Sequence, residues 1–557
     1  MARHRARTTL ASTAVGTAAK GSEGQPRFRL IVLAITAILL LGWFSPASSD
    51  SDTWWALKSG QYIAQHHSLP LPDPFSFTTY LGNPPANEAA LRDYNLKFEW
   101  LAELLLYGIY ALAGFPGLVL FRAAVLVIFS ATSGAIVYRR SGGWYRALAA
   151  TLLTAFVAGV FTSDRPYQVT YLFLAATLLI LEFRQAIWLL PPMFLIWANC
   201  HGGYILGFVI LGAYLAESVP AATRDRLLWL IAPACFLASG VNPNGFRGLT
   251  ILLSYRQSGM IQSLFEWQKV PFWPPTFVEL VLAAGVILLV WQRARTRIPD
   301  WLLLIAFGAA YFSAVRNTPI AGLIAATVVF SYVPWKVTIP DLAAWPIAGL
   351  LMAGIVACVV QGRAFQLHDT AWKYPSGAAD FLLSHKVTGP MLNSWEDGGY
   401  LQWRLWPQQR VFIDGRALNE SVFRDYQRMV QYSPPKGGPS GQSLLEKYGI
   451  QVILLNGFEI NSGDPYMLPV VLAVSGQTEW KLVYLDAQAT IFMRDPPAGV
   501  SPLRPRAALD NLESQCGVIL ANDSAQPGCA RGLSRLFTRI GDLPRARGWM
   551  GRYQSHR

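Results

Sequence analysis

Apolar segments separated by short polar stretches dominate the chain from residue 30 to residue 361. A helix that crosses a bilayer needs about 20 mostly apolar residues. Eleven segments approach that length, and they predict transmembrane helices at roughly 30–46, 117–137, 147–163, 168–183, 187–200, 203–219, 226–241, 275–292, 300–315, 318–334 and 341–361. A twelfth apolar stretch, 100–114, is ambiguous from its hydropathy alone.

Basic residues between these segments indicate how the ambiguous stretch lies, because cytoplasmic loops carry an excess of Lys and Arg. If 100–114 crosses the membrane, the arginines of 139–146 and 293–297 fall outside. If it lies flat on the outer surface, every basic cluster falls inside. Glu99 and Glu103 also suit an interfacial helix better than a crossing. The pattern therefore predicts eleven crossings, with the N-terminus inside and the C-terminus outside.

This topology predicts a polytopic α-helical protein of the bacterial inner membrane. Residues 1–28 are predicted to be a disordered basic cytoplasmic segment, and 29–361 a transmembrane domain with a long first outer loop, 47–116. The apolar run 30–44 could also be a cleaved signal peptide, but the many later segments favour an uncleaved first helix. Residues 362–500 are predicted to form a periplasmic α/β domain and 501–557 a helical tail, which resembles one tetratricopeptide-like helix pair and could bind a protein partner.

Composition agrees with a membrane protein. The chain is 53% hydrophobic and 14% charged, whereas a soluble domain is about 25% charged. The net charge of +13 would suggest nucleic acid in a soluble protein, but here the basic residues lie in orienting loops, so no nucleic-acid partner is predicted. Five cysteines do not make a disulfide scaffold. Cys516 and Cys529 could pair if their compartment is oxidising.

Within the outer domain, β-branched and aromatic runs predict strands at 411–413, 452–455, 482–484 and 490–493, with helices at 378–384 and 444–448. The order of strands and helices predicts an open sheet covered by helices. Two motifs, 397–399 (Asp-Gly-Gly) and 414–416 (Asp-Gly-Arg), follow predicted strands, where α/β sheets present ligands. They could equally be tight turns.

Ionisable residues gather at the predicted outer face. Acids there can abstract a proton or hold a divalent metal, and arginines can grip a phosphate. Alternatives remain open for several of them: Asp50 and Asp52 could cap a helix, Asp164 could form a turn with Pro166, and His201 could be structural. The candidate residues are Asp50, Asp52, Asp164, Glu266, Arg122, Arg165, Arg316 and His201.

An acid just after the first span, a long outer loop with a surface helix, and a second acid after the third span resemble the GT-C superfamily of membrane glycosyltransferases. The resemblance implies that Asp52 is a catalytic base or metal ligand and Asp164 a second outer acid. It implies more loosely that Glu266 is a later acid. A divalent cation, Mg²⁺ or Mn²⁺, could lie between these three carboxylates. The arginines that would hold the donor phosphate are Arg316, Arg165 and Arg122.

Residues 394–400 read Ser-Trp-Glu-Asp-Gly-Gly-Tyr and are similar to the Ser-Trp-Trp-Asp-Tyr-Gly-Tyr run of oligosaccharyltransferase, which binds the acceptor. Glu396 and Gly398 depart from that run, so recognition of a peptide sequon does not follow. The resemblance implies acceptor binding by Trp395, Glu396, Asp397 and Tyr400.

The favoured function is transfer of a sugar from a polyprenyl-phosphate-linked donor to a cell-envelope acceptor (a glycan, lipid or protein) at the outer leaflet, with inversion. One alternative is a lipid or sugar transporter or flippase, although the sequence lacks the internal repeats that such folds show. The other is a non-catalytic envelope assembly protein, in which the outer acids would be replaceable.

Overall fold

The computed structural model describes residues 25–219, 225–334, 344–432, 438–459, 462–476, 478–523 and 527–556. The first helix begins at Gln25, ahead of the predicted boundary at 29. The remainder of the predicted disordered N-terminus, residues 1–24, lies outside the described residues.

Among the described residues up to 360, the regular secondary structure consists of helices. In chain order the helices are α1 (Gln25–Trp43), α2 (Asp52–His66), α3 (Ala86–Asn95), α4 (Trp100–Ser141), α5 (Trp144–Ala158), α6 (Gln168–Phe183), α7 (Leu190–Cys200), α8 (Tyr204–Glu217), α9 (Arg226–Ser239), α10 (Ile251–Gln257), α11 (Gly259–Ser263), α12 (Phe277–Trp291), α13 (Ile298–Ser313), α14 (Thr318–Tyr332) and α15 (Ala344–Val360). A helix therefore occupies each predicted apolar segment, with residues 341–343 of the last one outside the described residues.

The predicted surface helix and second span form one helix, α4, that is broken at Gly114. This residue has a φ of +60°, which costs glycine little because it has no Cβ. Pro116 follows, and it lacks the N–H of a regular helix. The break lets 100–113 run in a direction different from the rest of α4, as a surface helix that continues into a span requires.

In the described chain, one helical stretch, 86–141, is long and apolar enough to cross a membrane. Nine shorter apolar helices of 10–17 residues accompany it among the described residues. Large apolar side chains on their outer faces are exposed, for example Ile287 at 64% and Leu350 at 74%. An apolar surface of this kind is unusual for a soluble monomer.

A buried ion-pair network joins four helices at one end of the bundle. Arg140 lies 2.8 Å from Glu182 and 2.9 Å from Asp300. Arg297 lies 2.8 Å from Glu182 and 2.8 Å from Glu217. The basic clusters 139–146 and 293–297 thus meet at the same end, which is the arrangement that the positive-inside argument requires.

The C-terminal part contains a four-stranded sheet of strand order β1-β2-β4-β3, in which β1 and β2 are parallel and the other pairs antiparallel. The strands are β1 (Met391–Asn393), β2 (Val452–Leu455), β3 (Lys481–Leu485) and β4 (Thr490–Met493). The surrounding helices are α16 (Ser376–Ser384), α17 (Gly398–Leu405), α18 (Glu420–Gln431), α19 (Gly441–Lys447) and α20 (Met467–Val474).

The predicted strand at 411–413 is wrong, and β1 was missed. Val411 bonds to the first loop instead of the sheet: its N–H donates to Phe75 O at 3.0 Å, and its carbonyl accepts from Phe77 N at 3.2 Å. The Phe412 N–H donates to Asn393 Oδ1 at 2.7 Å. This segment therefore ties the C-terminal part to the first loop.

Three helices form the tail: α21 (Ala507–Asn522), α22 (Gly528–Arg539) and α23 (Leu543–Ser555). Leu533, Phe537 and Trp549 pack in a common core, and Cys516 and Cys529 form a disulfide. The tail is made of helices. Its likeness to a tetratricopeptide helix pair and its binding of a protein partner stay predictions.

Candidate functional site

Two aspartates lie at the start of α2: Asp52 is its first residue, and Asp50 precedes it by two residues. Asp50 caps the first turn of α2, because its Oδ1 accepts from the Asp52 N–H at 3.0 Å and its carbonyl accepts from the Thr53 N–H at 3.2 Å. Asp50 Oδ2 also accepts from the Ser163 hydroxyl at 2.5 Å. The capping alternative therefore describes Asp50. Asp52 instead turns its carboxylate towards Arg165, with which it forms an ion pair.

Arg165 is the centre of the site. Its Nε lies 2.8 Å from Asp50 Oδ2, its Nη1 donates to Glu266 Oε2 at 2.8 Å, and its Nη2 pairs with Asp52. The side chains remain partly open, with exposed fractions of 22% for Arg165, 18% for Asp52 and 21% for Glu266. Three chain segments, 50–52, 165 and 266, therefore converge on one guanidinium, which holds the carboxylates rather than an external phosphate.

Burial raises the pKa of Asp52 to about 6, against the opposing effect of Arg165 and with a further rise caused by Asp50. Burial also acts to raise the pKa of Glu266, but the charges of Arg316 and Arg165 outweigh it, so this pKa lies below its ordinary value. The two acids thus differ in basicity, and Asp52 is the one suited to accept a proton near neutral pH.

Arg316 lies on a single turn of 3₁₀ helix at Val315–Asn317. It has fewer ion pairs among the described residues than Arg165. In the part of the chain that the structure describes, it has a single ion pair, 3.4 Å from Glu266. Its guanidinium lies over the Trp267 ring, 4.6 Å from the ring centroid, and its side chain is 24% exposed. A guanidinium with open donors is suited to bind an added anion such as phosphate.

Asp164 and Arg122, predicted as a catalytic acid and a phosphate-binding arginine, form an ion pair with each other inside the protein. Their side chains are each 1% exposed and lie 2.7 Å apart. Arg122 also donates to the carbonyls of Phe44 and Pro46, which follow α1. The pair is therefore an internal tie between α4, the end of α1 and the loop before α6.

His201 is held by internal hydrogen bonds. This arrangement agrees with the alternative that His201 is structural. Its Nδ1 accepts from the Gly203 N–H at 2.9 Å and lies 2.9 Å from the Thr170 hydroxyl. The Trp197 indole N–H donates to that same hydroxyl at 3.1 Å, so the hydroxyl hydrogen points to His201. The other ring nitrogen, Nε2, lies 3.4 Å from Glu99.

A small, partly open cavity lies between the first loop, α11 and the C-terminal part. Trp395 lines it, packed against Phe423 with ring centroids 4.9 Å apart. The other lining residues are Ser76, Thr78, Thr79, Met260, Phe412, Ile413, Asp414, Leu418, Asn419 and Val422. Of the four predicted acceptor-binding residues, Trp395 is the one that reaches this cavity.

The remaining predicted acceptor residues have internal contacts. Asp397 is buried and accepts from the Ser394 hydroxyl, and burial raises its pKa to about 7. Tyr400 is buried, and its ring packs 5.2 Å from that of Trp54 on α2. Glu396 accepts from the Tyr466 hydroxyl at 3.1 Å. Asp397 and Tyr400 both lie inside the protein, and direct acceptor contact by either side chain stays a prediction.

The divalent-cation site predicted between Asp52, Asp164 and Glu266 does not fit the arrangement of these residues. Asp52 and Glu266 share the guanidinium of Arg165, and Asp164 faces Arg122. Among the described residues, no group of three or more His, Cys, Asp and Glu side chains is disposed to hold a metal ion.

Sequence reasoning missed the buried network that surrounds Arg416. Arg416 donates to Asp73 at 3.0 and 3.1 Å and to Asp414 at 2.8 and 2.8 Å. Asp414 also accepts from Gln402 at 2.5 Å. Asp73 and Arg416 are 343 residues apart, so no local pattern could have joined them.

The fold is similar to that of the oligosaccharyltransferase of Archaeoglobus fulgidus. Its crystal structure, tethered to an acceptor peptide containing the NVT sequon, matches with a TM-score of 0.53 at 12% identity, covering 86% of this chain and 76% of that one. The archaeal enzyme AglB from the same organism, in complex with an inhibitory peptide and a dolichol-phosphate, gives 0.51 at 12% identity, covering 87% and 77%.

ArnT from Cupriavidus metallidurans, bound to undecaprenyl phosphate, gives a TM-score of 0.41 at 14% identity, covering 86% of this chain and 99% of that one. No protein-family model and no curated protein sequence matches the chain. The predicted likeness to oligosaccharyltransferase is confirmed for the fold by the two archaeal structures.

Proposed function

We propose that the protein is a membrane glycosyltransferase that transfers a sugar from a polyprenyl-phosphate-linked donor to a cell-envelope acceptor at the outer leaflet. The observation that carries the proposal is the cluster in which Arg165 holds Asp52 and Glu266 while Arg316 keeps open donors. A base beside a phosphate-binding cation is what this reaction requires. The fold supports the proposal, because the similar archaeal enzyme binds a dolichol-phosphate.

In the proposed reaction an acceptor hydroxyl or amide attacks the anomeric carbon of the donor. The bond from that carbon to the phosphate oxygen breaks, and the polyprenyl phosphate leaves with the bonding electrons. Asp52 takes the acceptor proton, for which its pKa of about 6 is suited. General-base help of this kind contributes about 10²–10⁴ in rate. Attack opposite to the leaving group inverts the anomeric centre.

Two arginines have different roles in this proposal. Arg316 binds the donor phosphate, since its guanidinium has a single ion pair within the described chain. Arg165 is occupied by three carboxylates and orients Asp52. Binding of phosphate by Arg316 would also stabilise the negative charge that develops on the leaving group.

The acceptor is proposed to approach through the cavity lined by Trp395. Replacing Trp395 by Ala is expected to raise the acceptor KM by about 2- to 10-fold, because an aromatic contact contributes about 0.5–1.5 kcal/mol and 1.4 kcal/mol is tenfold. Steady-state transfer kinetics at saturating donor measure this change. Trp372→Ala is the matched control, since Trp372 is partly buried and does not line the cavity. Equal effects of the two variants on KM would contradict the assignment.

We further propose that the chain crosses the inner membrane several times and that the part from 362 onwards is periplasmic. The exposed apolar side chains of the bundle helices support insertion in a bilayer. The disulfide between Cys516 and Cys529 supports an oxidising compartment for the tail.

Thiol counting in cells tests the location of the tail. When the protein is denatured and alkylated without reductant, three cysteines are expected to react: Cys200, Cys235 and Cys358. After reduction all five are expected to react. Mass spectrometry of the alkylated protein counts the reactive cysteines before and after reduction. Cys516→Ser, which frees Cys529, is the control. Five reactive thiols before reduction would contradict a periplasmic tail.

The function itself is tested by incubating purified protein in lipid nanodiscs with a panel of polyprenyl-phosphate sugars and following donor binding and hydrolysis. At least one donor is expected to bind and to release its sugar slowly to water, while the corresponding free sugar phosphate binds more weakly. Movement of donors across proteoliposomes without any cleavage would favour a flippase. Absence of both binding and cleavage would favour an assembly protein.

A further inference from the structure

The backbone of Gly415 lies directly against the Asp52 carboxylate. A Cβ placed on Gly415 would overlap Asp52 Oδ1 and would lie 3.0 Å from Cγ and 3.3 Å from Oδ2. These three atoms, all from Asp52, are the nearest that such a Cβ would meet. The φ of Gly415 is not in the left-handed region, so the close approach, and not the backbone conformation, requires glycine here.

A second glycine from the C-terminal part covers the same helix turn. A Cβ on Gly399 would lie 2.7 Å from the Ser51 carbonyl and 3.2 Å from the Trp55 nitrogen. The 397–399 and 414–416 motifs were predicted either to present a ligand or to be tight turns, and in the structure both pack against the start of α2. Their small residues let backbone approach backbone.

The Asp414-Gly415-Arg416 turn is held in place from two sides. Arg416 bonds bidentately to Asp414 in the same turn and to Asp73 of the first loop. The exposed side-chain fractions are 4% for Arg416, 2% for Asp414 and 0% for Asp73. Such a desolvated and fully paired arrangement has little freedom to move, so Gly415 is fixed relative to the first loop that carries Asp52.

We propose that the Asp414-Gly415-Arg416 turn is a positioning element for Asp52, so that the C-terminal part completes the active site by seating one face of the carboxylate and shielding it from water. Gly415 is the contact residue, and Arg416 holds the turn through Asp73. The inference rests on the proposed function for its catalytic meaning, but the contact itself can be tested without any substrate.

A double-mutant cycle on thermal stability tests the contact. Gly415→Ala is expected to lower the Tm by at least about 2 °C, because the new methyl group overlaps Asp52. In an Asp52→Ala background the same change is expected to have no such effect, since the three nearest atoms are gone. Gly517→Ala is the matched control, with nothing within 4 Å of its added Cβ. Because Gly517 lies inside α21, where alanine is favoured over glycine by about 0.5–1 kcal/mol, this change should not lower the Tm, and its effect should be the same in both backgrounds.

An equal decrease of Tm in the two backgrounds, or no decrease in either, would contradict the proposed contact between Gly415 and Asp52. If Gly415→Ala alone does not fold, a folded Asp52→Ala/Gly415→Ala protein supports the same conclusion. Failure of the double variant as well, with Asp52→Ala folded, overturns it.

The pH dependence of transfer separates positioning from a merely structural role. Asp52 faces Arg165, Asp50, Glu266 and Glu99. The rate should rise as the pH passes about 6 in the wild type, because the base acts when ionised. In Gly415→Ala the displaced carboxylate gains water, so the midpoint should move to lower pH, and kcat should fall at least about tenfold without a matching change in donor KM.

A wild-type kcat and pH midpoint in folded Gly415→Ala would overturn the proposal while leaving the glycosyltransferase function intact. An inactive wild type that still shows the stability coupling would count against the proposed function and leave the contact standing.

Discussion

Asp52→Asn is expected to lower kcat for sugar transfer by about 10²–10⁴-fold without a comparable loss of donor affinity. Asparagine keeps the shape of the side chain but cannot accept the acceptor proton. Arg316, which we propose to bind the phosphate, contacts Glu266 and Trp267 and not Asp52, so donor binding should persist. Single-turnover transfer with saturating acceptor, together with a donor-binding titration, measures the two effects separately.

Asp93→Asn is the control for this prediction, because Asp93 lies on the same first loop and its side chain is 47% exposed. It should transfer sugar at the wild-type rate. Asp52→Asn protein that is folded and transfers at the wild-type rate would rule out the assigned base. A loss of donor binding equal to the loss of rate would instead indicate that Asp52 serves the binding site.

Arg122→Met is expected to lower the free energy of unfolding by about 3–5 kcal/mol, the usual cost of leaving a buried charge unpaired. Its partner Asp164 is 1% exposed, so water cannot replace the lost guanidinium. The change also removes the donors to the Phe44 and Pro46 carbonyls. Reversible unfolding in mixed micelles, or the shift in Tm, measures the loss.

A second replacement should restore much of this stability. Arg122→Met/Asp164→Leu removes both charges, and an apolar pair of similar volume is often as stable as the buried ion pair it replaces. Arg139→Met, which changes an exposed arginine on the same helix, should have a small effect. A double variant as unstable as Arg122→Met would show that the carbonyl contacts, rather than the ion pair, carry the stability.

Hydropathy and charge predicted the helical scaffold well, because apolar length and basic loops are local properties of the chain. The same reasoning predicted a separate surface helix up to residue 114, where the structure breaks α4. It also predicted that Asp52, Glu266 and Arg316 share one face, and in the structure Arg165 and Glu266 link them. The number of membrane crossings and their direction remain predictions, since they depend on a bilayer that the chain only implies.

Local sequence patterns could not show which residues pair with each other in the folded protein. Asp164 and Arg122 looked like site residues, since both fall near the predicted outer ends of spans, but they neutralise each other in the interior. Residues 411–413 were predicted as a strand because they are β-branched or aromatic, yet the hydrogen bonds of Val411 go to the first loop. Pairings over hundreds of residues, such as Arg416 with Asp73, arise only when the domains pack together.

The anomeric configuration of the transferred sugar tests the central claim most directly. Wild-type protein, a polyprenyl-phosphate sugar of known configuration and its acceptor would be allowed to react, and the product examined by proton NMR. Single displacement assisted by Asp52 predicts a product of opposite configuration to the donor. A product that keeps the donor configuration, or a donor that binds and is never transferred, would contradict the account.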